Sequence, residues 1–358
     1  MKNSIGTNVI LTLFGESHGE YIGATLDGLP AGIKVDEGFI SSQLSKRRPN
    51  SSIDTGRIEK DNYQIISGVF NGYTSGSPLT ILIKNENTKS SDYDKNLIRP
   101  SHADYVSKVK YDGYSDYRGG GHFSGRLTAP IVALGSICLK ALGNKGIYIG
   151  THILEIEKYK DKEIENINDV HTINNKTIPT ITDLDKEITE LGNKLKQEGD
   201  SIGGVIQTGI FGFPIGIGEP WFSSLEGTIA NAVLSIGGVK GIEFGRGFDF
   251  KNGLGSSLND ELRYENGKVI SLTNNNGGIN GGISNGMPII FNMAVKPTPS
   301  IAKKQQSVNL ETKENVEIEI KGRHDPAIIK RICIVITSLL AIVMCDELSK
   351  EYGNKYLK

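Results

Sequence analysis

The chain has 358 residues, 37% of them hydrophobic and 23% charged, with a formal net charge of −1. These values exclude a globally disordered chain, and they exclude a global field that would draw the molecule to nucleic acid or to an anionic membrane. Any anion site must be built locally from clustered Arg, Lys and His, while 44 glycines point to many tight turns or to backbone brought close to a ligand.

In chain order, strand patterning falls at residues 8–14, 21–26, 64–70, 79–84, 204–211, 289–296 and 315–321. The last of these alternates strictly, which predicts one buried face and one wet face. Helices are predicted over 36–48, 128–142, 184–198, 224–236 and 326–352. Leu184, Ile188, Leu191 and Leu195 share one stripe, and Gly199 is placed to end that helix. Asp325 suits an N-cap for the final helix, with Pro326 at its first position. The apolar run 332–345 falls short of the ~20 residues that span a bilayer, so it reads as a buried helix.

No Pro/Ser linker or abrupt change in composition divides the chain, which reads as one domain over 1–358 with a polar peripheral excursion at 155–200. Residues 76–84 and 286–296 both run turn, Pro, apolar strand, Lys. An internal pseudo-two-fold duplication would produce that echo, and so would ordinary turn chemistry. The start of the chain lacks the pattern of a signal peptide. The 3 cysteines (Cys138, Cys333, Cys345) form no close pair, so a reducing, cytoplasmic setting is expected.

Chemistry concentrates where glycine meets cations or imidazoles. Phe14 to Gly19 (FGESHG) sets His18 between glycines at a strand end, as an exposed catalytic group or as a turn histidine bonded to a carbonyl. Ser45 to Pro49 (SKRRP) ends a helix with adjacent cations, more than the helix dipole requires. Arg99 to Asp104 (RPSHAD) leads to Asp116 to Arg126 (DYRGGGHFSGR), three glycines followed by a helix start, which is the physics of an anion or cofactor-phosphate cradle. Lys296 to Ser300 (KPTPS) offers an ammonium and hydroxyls on a Pro-stiffened turn, and Asp325 follows Arg323 and His324. Arginines beside the histidines argue against a metal, and sparse aromatics argue against base stacking. The residues alone describe an enzyme for a phosphorylated, polyanionic small molecule.

Together these segments resemble the chorismate synthase family. FGESHG, RPSHADY, DYRGGG, EGDSIGG (residues 198–204), GGISNG (281–286), KPTPS and GRHDP occur in that family's order and extend over most of the chain. The resemblance implies an α+β fold, a β-α-β sandwich, and a homotetramer. It also implies conversion of 5-enolpyruvylshikimate 3-phosphate to chorismate and phosphate by a 1,4-anti elimination that needs reduced FMN. Carried over by position, His18 with Ser17 beside it would protonate the leaving phosphate. His102 would stand near the flavin, and Asp325 would relay a proton. Arg47, Arg99, Arg126 and Arg323 would hold substrate anions. FMN would lie along His122, Phe123 and Ser124, near Gly281, along Lys296, Pro297, Thr298, Pro299 and Ser300, and by Arg323.

The chain departs from the family pattern at three places. His122-Phe123-Ser124 stands where many members read RSS. Ile53 stands where several have an arginine associated with a nicotinamide site or substrate, with Arg57 as a substitute. Gly237-Gly238 replaces an Asn-Ala pair. NADPH is therefore expected only as an indirect reductant. An FMN-dependent oxidoreductase or flavin reductase is the alternative, as is a non-catalytic binder of phosphorylated metabolites.

Overall fold

The computed structural model describes residues 2–51, 53–54, 60–86, 88, 93–320 and 325–358. The first half contains β1 (Ser4–Ile5), β2 (Ile10–Gly15), β3 (Tyr21–Asp27), α1 (Glu37–Arg47), β4 (Tyr63–Ser67), β5 (Val69–Phe70), β6 (Tyr73–Thr74), β7 (Leu79–Lys84), α2 (Asp104–Lys110) and α3 (Thr128–Gly143). The second half begins with β8 (Tyr148–Ile156), β9 (Tyr159–Lys160), α4 (Ile167–Asn175), α5 (Asp185–Glu198), β10 (Gly204–Phe211), α6 (Leu225–Leu234) and β11 (Val239–Phe244). It continues through α7 (Gly255–Leu258), β12 (Leu262–Glu265), β13 (Lys268–Ser271), β14 (Ile279–Asn280), β15 (Ile283–Ser284), β16 (Ile289–Val295), β17 (Lys304–Asn309), β18 (Glu314–Glu319) and α8 (Ile329–Tyr352).

Two sheets carry the fold, ordered β1-β2-β3-β7-β4 and β11-β16-β10-β8-β9. Every strand pair in them is antiparallel. Their chain paths correspond: β2-β3-β7-β4 in one repeats as β8-β10-β16-β11 in the other. A helix follows the second strand of each set (α1, α6), a short hairpin precedes the third (β5–β6, β14–β15), and a long helix comes after it (α3, α8). Even the irregular register recurs, at Ile65/Ser67 and at Val239/Gly241. The echo around Pro78 and Pro288 thus belongs to a repeated half.

The sequence dictates this layering through period-two burial. Leu79, Ile81 and Ile83 of β7 are buried, as are Ile289, Phe291, Met293 and Val295 of β16, so each sheet turns one apolar face inward. Between these faces lie the two long helices. α3 packs on β3 and β7, α8 packs on β8 and β10, and the two pack on each other. That is a β-α-β sandwich. The helix pair is very close, since a Cβ at Gly135 would come within 2.3 Å of the Ser338 carbonyl oxygen. By length and composition α8 and the 118–143 region could each cross a membrane, yet both are largely buried within the protein.

Residues 157–203 pack a satellite core of Ile164, Val170 and Ile173 against Phe211. Ile188, Leu191 and Leu195 of α5 face inward, and Gly199 ends that helix in the left-handed region at φ 66°.

Two expectations need correction. Asp325 does not cap the last helix: α8 starts at Ile329 with no side-chain cap, and the Asp325 carboxylate binds Arg331 Nη1 at 2.9 Å. A guanidinium is a stronger partner for a carboxylate than a neutral backbone N–H. Among the described residues the strictly alternating strand, β18, pairs with β17 alone, so Val316 and Ile318 reach half-burial and no residue in it is fully buried.

The chain start is tied down by one buried carboxylate. Asp346 of α8 accepts the backbone N–H groups of Thr7 (3.0 Å), Asn8 (2.6 Å) and Val9 (2.8 Å). Asp346→Ala would strand these donors, and urea unfolding should report a loss of about 1–3 kcal/mol.

Candidate active site

One large cavity, of about 1750 Å³, is lined by segments that are far apart in sequence. His18 comes from the loop after β2, and Arg47 from the end of α1. Arg99, His102 and Asp104 come from the turn into α2. Residues 122–128 contribute on the way into α3, Lys296–Ser300 after β16, and Asp325 and Arg331 at the start of α8. The sequence-derived residues His18, His102, Arg47, Arg99, Arg126, His122, Phe123, Ser124, Lys296, Pro297, Thr298, Pro299, Ser300 and Asp325 therefore share one lining. Ser17 is fully buried behind His18. Gly281 sits in the β14–β15 turn and is not part of the lining. Arg323, His324 and Arg57 lie outside the described residues.

The glycine triplet explains how the two histidines are brought to one stretch of backbone. Gly119, Gly120 and Gly121 have φ of 59°, 83° and 51°, values that side chains tolerate poorly. A Cβ on Gly119 would fall 2.1 Å from His18 Cε1, and one on Gly120 would lie 3.2 Å from His102 Cε1. Gly119 and Gly120 thus pack against imidazoles, while Gly121 packs against Asp116. Ser17 completes the arrangement. Its Oγ lies 3.0 Å from the Gly119 carbonyl, 3.2 Å from that of Arg118 and 3.1 Å from His18 Nδ1. The hydroxyl thus braces the Nδ1 edge of the His18 ring against the glycine backbone.

Each arginine here is matched to a carboxylate of the protein. Arg47 Nη1 donates to Asp61 at 3.1 Å, Arg126 Nη1 donates to the other oxygen of Asp61, and Arg48 Nε stands 3.9 Å away. Arg47 also donates to Thr128 Oγ1 (2.9 Å) and Gly125 O (3.1 Å), and Arg126 donates to Asn85 Oδ1 (3.2 Å). Burial alone would raise the Asp61 pKa, but Arg47 and Arg126 outweigh it and hold the carboxyl below its ordinary value. Arg99 grips Asp104 through Nε and Nη2, both at 2.7 Å, and Arg118 grips Asp116 at 2.9 Å. Tyr93 links the two histidine regions: its ring meets His18 edge-on at 5.3 Å and lies 5.4 Å from the Arg99 guanidinium.

Asp61, Asp104, Asp116 and Tyr93 carry roles that motif reading missed. The usable signal was physical, because buried guanidiniums require anions nearby. Of the SKRRP cations, Arg47 and Arg48 both stand near Asp61, whereas Lys46 turns elsewhere. Lys46 leaves the cavity and donates to the Asn174 carbonyl at 2.6 Å, and burial lowers its pKa to about 8. His122 donates through Nδ1 to the Gly15 carbonyl at 2.9 Å. Ile53 is fully buried, with Gly192 of α5 close against it, whereas Gly237 and Gly238 line the cavity.

The Asp61 pairing has a definite pH sign. A carboxyl whose folded pKa lies below its unfolded value of about 3.9 stabilises the fold above that pH, and the contribution is lost as pH falls through the folded pKa. Asp61→Asn should cost about 3–5 kcal/mol at pH 7 by leaving buried guanidiniums uncompensated. Thermal melts at pH 7, 5 and 3 should then show the gap to the parent protein narrowing toward pH 3.

The chorismate synthase family model matches residues 9–348. The chain is 45% identical over 356 residues to a chorismate synthase of Methanobrevibacter smithii, covering 97% of this chain and 96% of that one. Against a chorismate synthase of Korarchaeum cryptofilum the identity is 41% over 350 residues, covering 96% and 97% of the two chains. A crystal structure described as chorismate synthase superposes with a TM-score of 0.77 at 28% identity, covering 98% of this chain and 94% of that one.

Proposed function

The chain belongs to the chorismate synthase family, and on that premise we propose that it converts 5-enolpyruvylshikimate 3-phosphate to chorismate and phosphate, using reduced FMN. The observation that carries this reading is the single cavity in which His18, His102, Arg47, Arg99, Arg126 and Asp325 meet. In the elimination the C3–O bond to phosphate and a C6–H bond break, with formation of the second ring double bond.

A departing phosphate is a poor leaving group until a proton or cation meets it. His18 is the general acid. Ser17 occupies its Nδ1 edge, so Nε2 is the nitrogen that must exchange the proton, and His18 acts as imidazolium. Arg47, Arg99 and Arg126 attract the substrate's carboxylates and phosphate, each charge-assisted contact contributing about 1.5–3 kcal/mol. Asp325, held by Arg331, would take up the proton released from C6.

The residues suit a flavin nucleotide. Thr298 Oγ1 is buried on the cavity wall with no hydrogen-bond partner among the described residues. Burial and the nearby Lys240 lower the Lys296 pKa, a crowding of cations that an anionic group would relieve. Reduced FMN, when bound, supplies electron density that weakens the allylic C–O bond and ends each turnover in its starting state. The same reading includes NADPH only as an indirect reductant, and a homotetramer in the cytoplasm. Exposed Trp221, Phe222, Phe248, Leu254 and Tyr264 support association with further copies.

Anaerobic mixing of protein, substrate and chemically reduced FMN should release phosphate well above a protein-free control, and release equal to the control would reject the function. His18→Ala should lower kcat roughly 10²–10⁴-fold with the melting temperature preserved.

A further inference from the structure

We propose that Asp104 is a positioning residue that fixes the His102 proton on Nδ1, making Nε2, the nitrogen beside Gly120, the one that exchanges protons with bound molecules. The inference rests on the proposed function for what those molecules are, but its geometry stands on three contacts. His102 Nδ1 lies 2.6 Å from Asp104 Oδ1 and 3.1 Å from Arg99 Nη2, and Arg99 Nη2 lies 2.7 Å from the same Oδ1. A guanidinium can only donate, so Nδ1 cannot both accept from Arg99 and donate to Asp104. The shorter, charge-assisted contact decides it. Nδ1 carries the hydrogen, both nitrogens donate to Oδ1, and the 3.1 Å approach is a side-by-side contact without a bond.

Asp104 is well fixed for this task. Its Oδ2 accepts from Arg99 Nε at 2.7 Å and from the Arg99 backbone N–H at 3.1 Å. Burial would raise its pKa, but hydrogen bonds from His102 and Arg99 overcome that and keep the carboxyl well below the usual carboxylate range. Opposite the Asp104 edge of the ring, a Cβ on Gly120 would lie 3.4 Å from Nε2, so glycine backbone stands against that nitrogen. The charged groups around His102 are Arg99 and Asp104 from its own segment, and Lys296, whose ammonium reaches the Ser101 carbonyl from the end of β16 at 2.7 Å. Arg99 and Lys296 disfavour an imidazolium and Asp104 favours it. Asp104 is therefore the acceptor that orients the His102 ring, and Arg99 is in part a clamp on Asp104.

The test is ¹⁵N NMR of the histidine rings in the full-length protein, with His102 assigned by its disappearance in His102→Gln. In the parent protein Nδ1 should stay protonated from pH 6 to 9 while Nε2 alone titrates. In Asp104→Asn the midpoint should fall by about one pH unit or more. Its kcat should drop roughly tenfold or more at neutral pH, with KM little changed and part of the loss recovered at lower pH. A proton resident on Nε2 in the parent protein, or an unchanged midpoint in the variant, would overturn the proposal. If Asp104→Asn does not fold, the tautomer in the parent protein decides the matter. Phosphate release by the parent protein is read separately, so failure of the proposed function and failure of the Asp104 assignment are distinguishable.

Discussion

A cavity meant for a polyanion must keep several guanidinium groups close together, partly out of water, before any ligand arrives. Like charges at such range repel, and each loses solvation, so an apo site of this kind would collapse or splay unless anions of its own were built in. Here those anions are Asp61 between Arg47 and Arg126, Asp104 against Arg99, and Asp116 against Arg118. Asp61 serves more than one guanidinium, since it bonds Arg47 and Arg126 and stands 3.9 Å from Arg48.

The duplicated fold puts these groups where they can meet. The first half supplies the cavity histidines His18, His102 and His122 and most of the arginines, while the second half supplies Lys296 to Ser300 and the start of α8. The close α3–α8 contact at Gly135 and Ser338 fixes the halves against one another. The loop after α1 is pinned by a buried ion pair, Lys330 Nζ to Asp54 at 2.6 Å, and by the packing of Ile53 beneath Gly192.

Alternating strands such as β7 and β16 were legible in the sequence because one face is buried and the other is not. β8 was missed because its burial is nearly continuous over residues 149–153, which leaves no period-two pattern between polar flanks. β17 (KQQSVN) was missed for the opposite reason: it is polar but for Val308, and it is held by pairing with β18 and by a bridge from Leu97 to Asn309. Among site residues, the histidines and arginines announced themselves through glycine-rich motifs. Asp61 did not, since it stands 14 positions from Arg47 and 65 from Arg126, and only the tertiary fold makes them neighbours. Asp104 lay inside a recognised motif, but its bond to His102 depends on a turn whose shape the letters do not spell out.

The most direct measurement is a density map of the protein with FMN and 5-enolpyruvylshikimate 3-phosphate bound. The geometry predicts the substrate phosphate beside His18, its carboxylates within reach of Arg47 or Arg126, and the flavin between His102 and the Lys296–Ser300 turn. Ligands bound outside this cavity, or a substrate phosphate held away from His18 with the flavin away from His102, would contradict it.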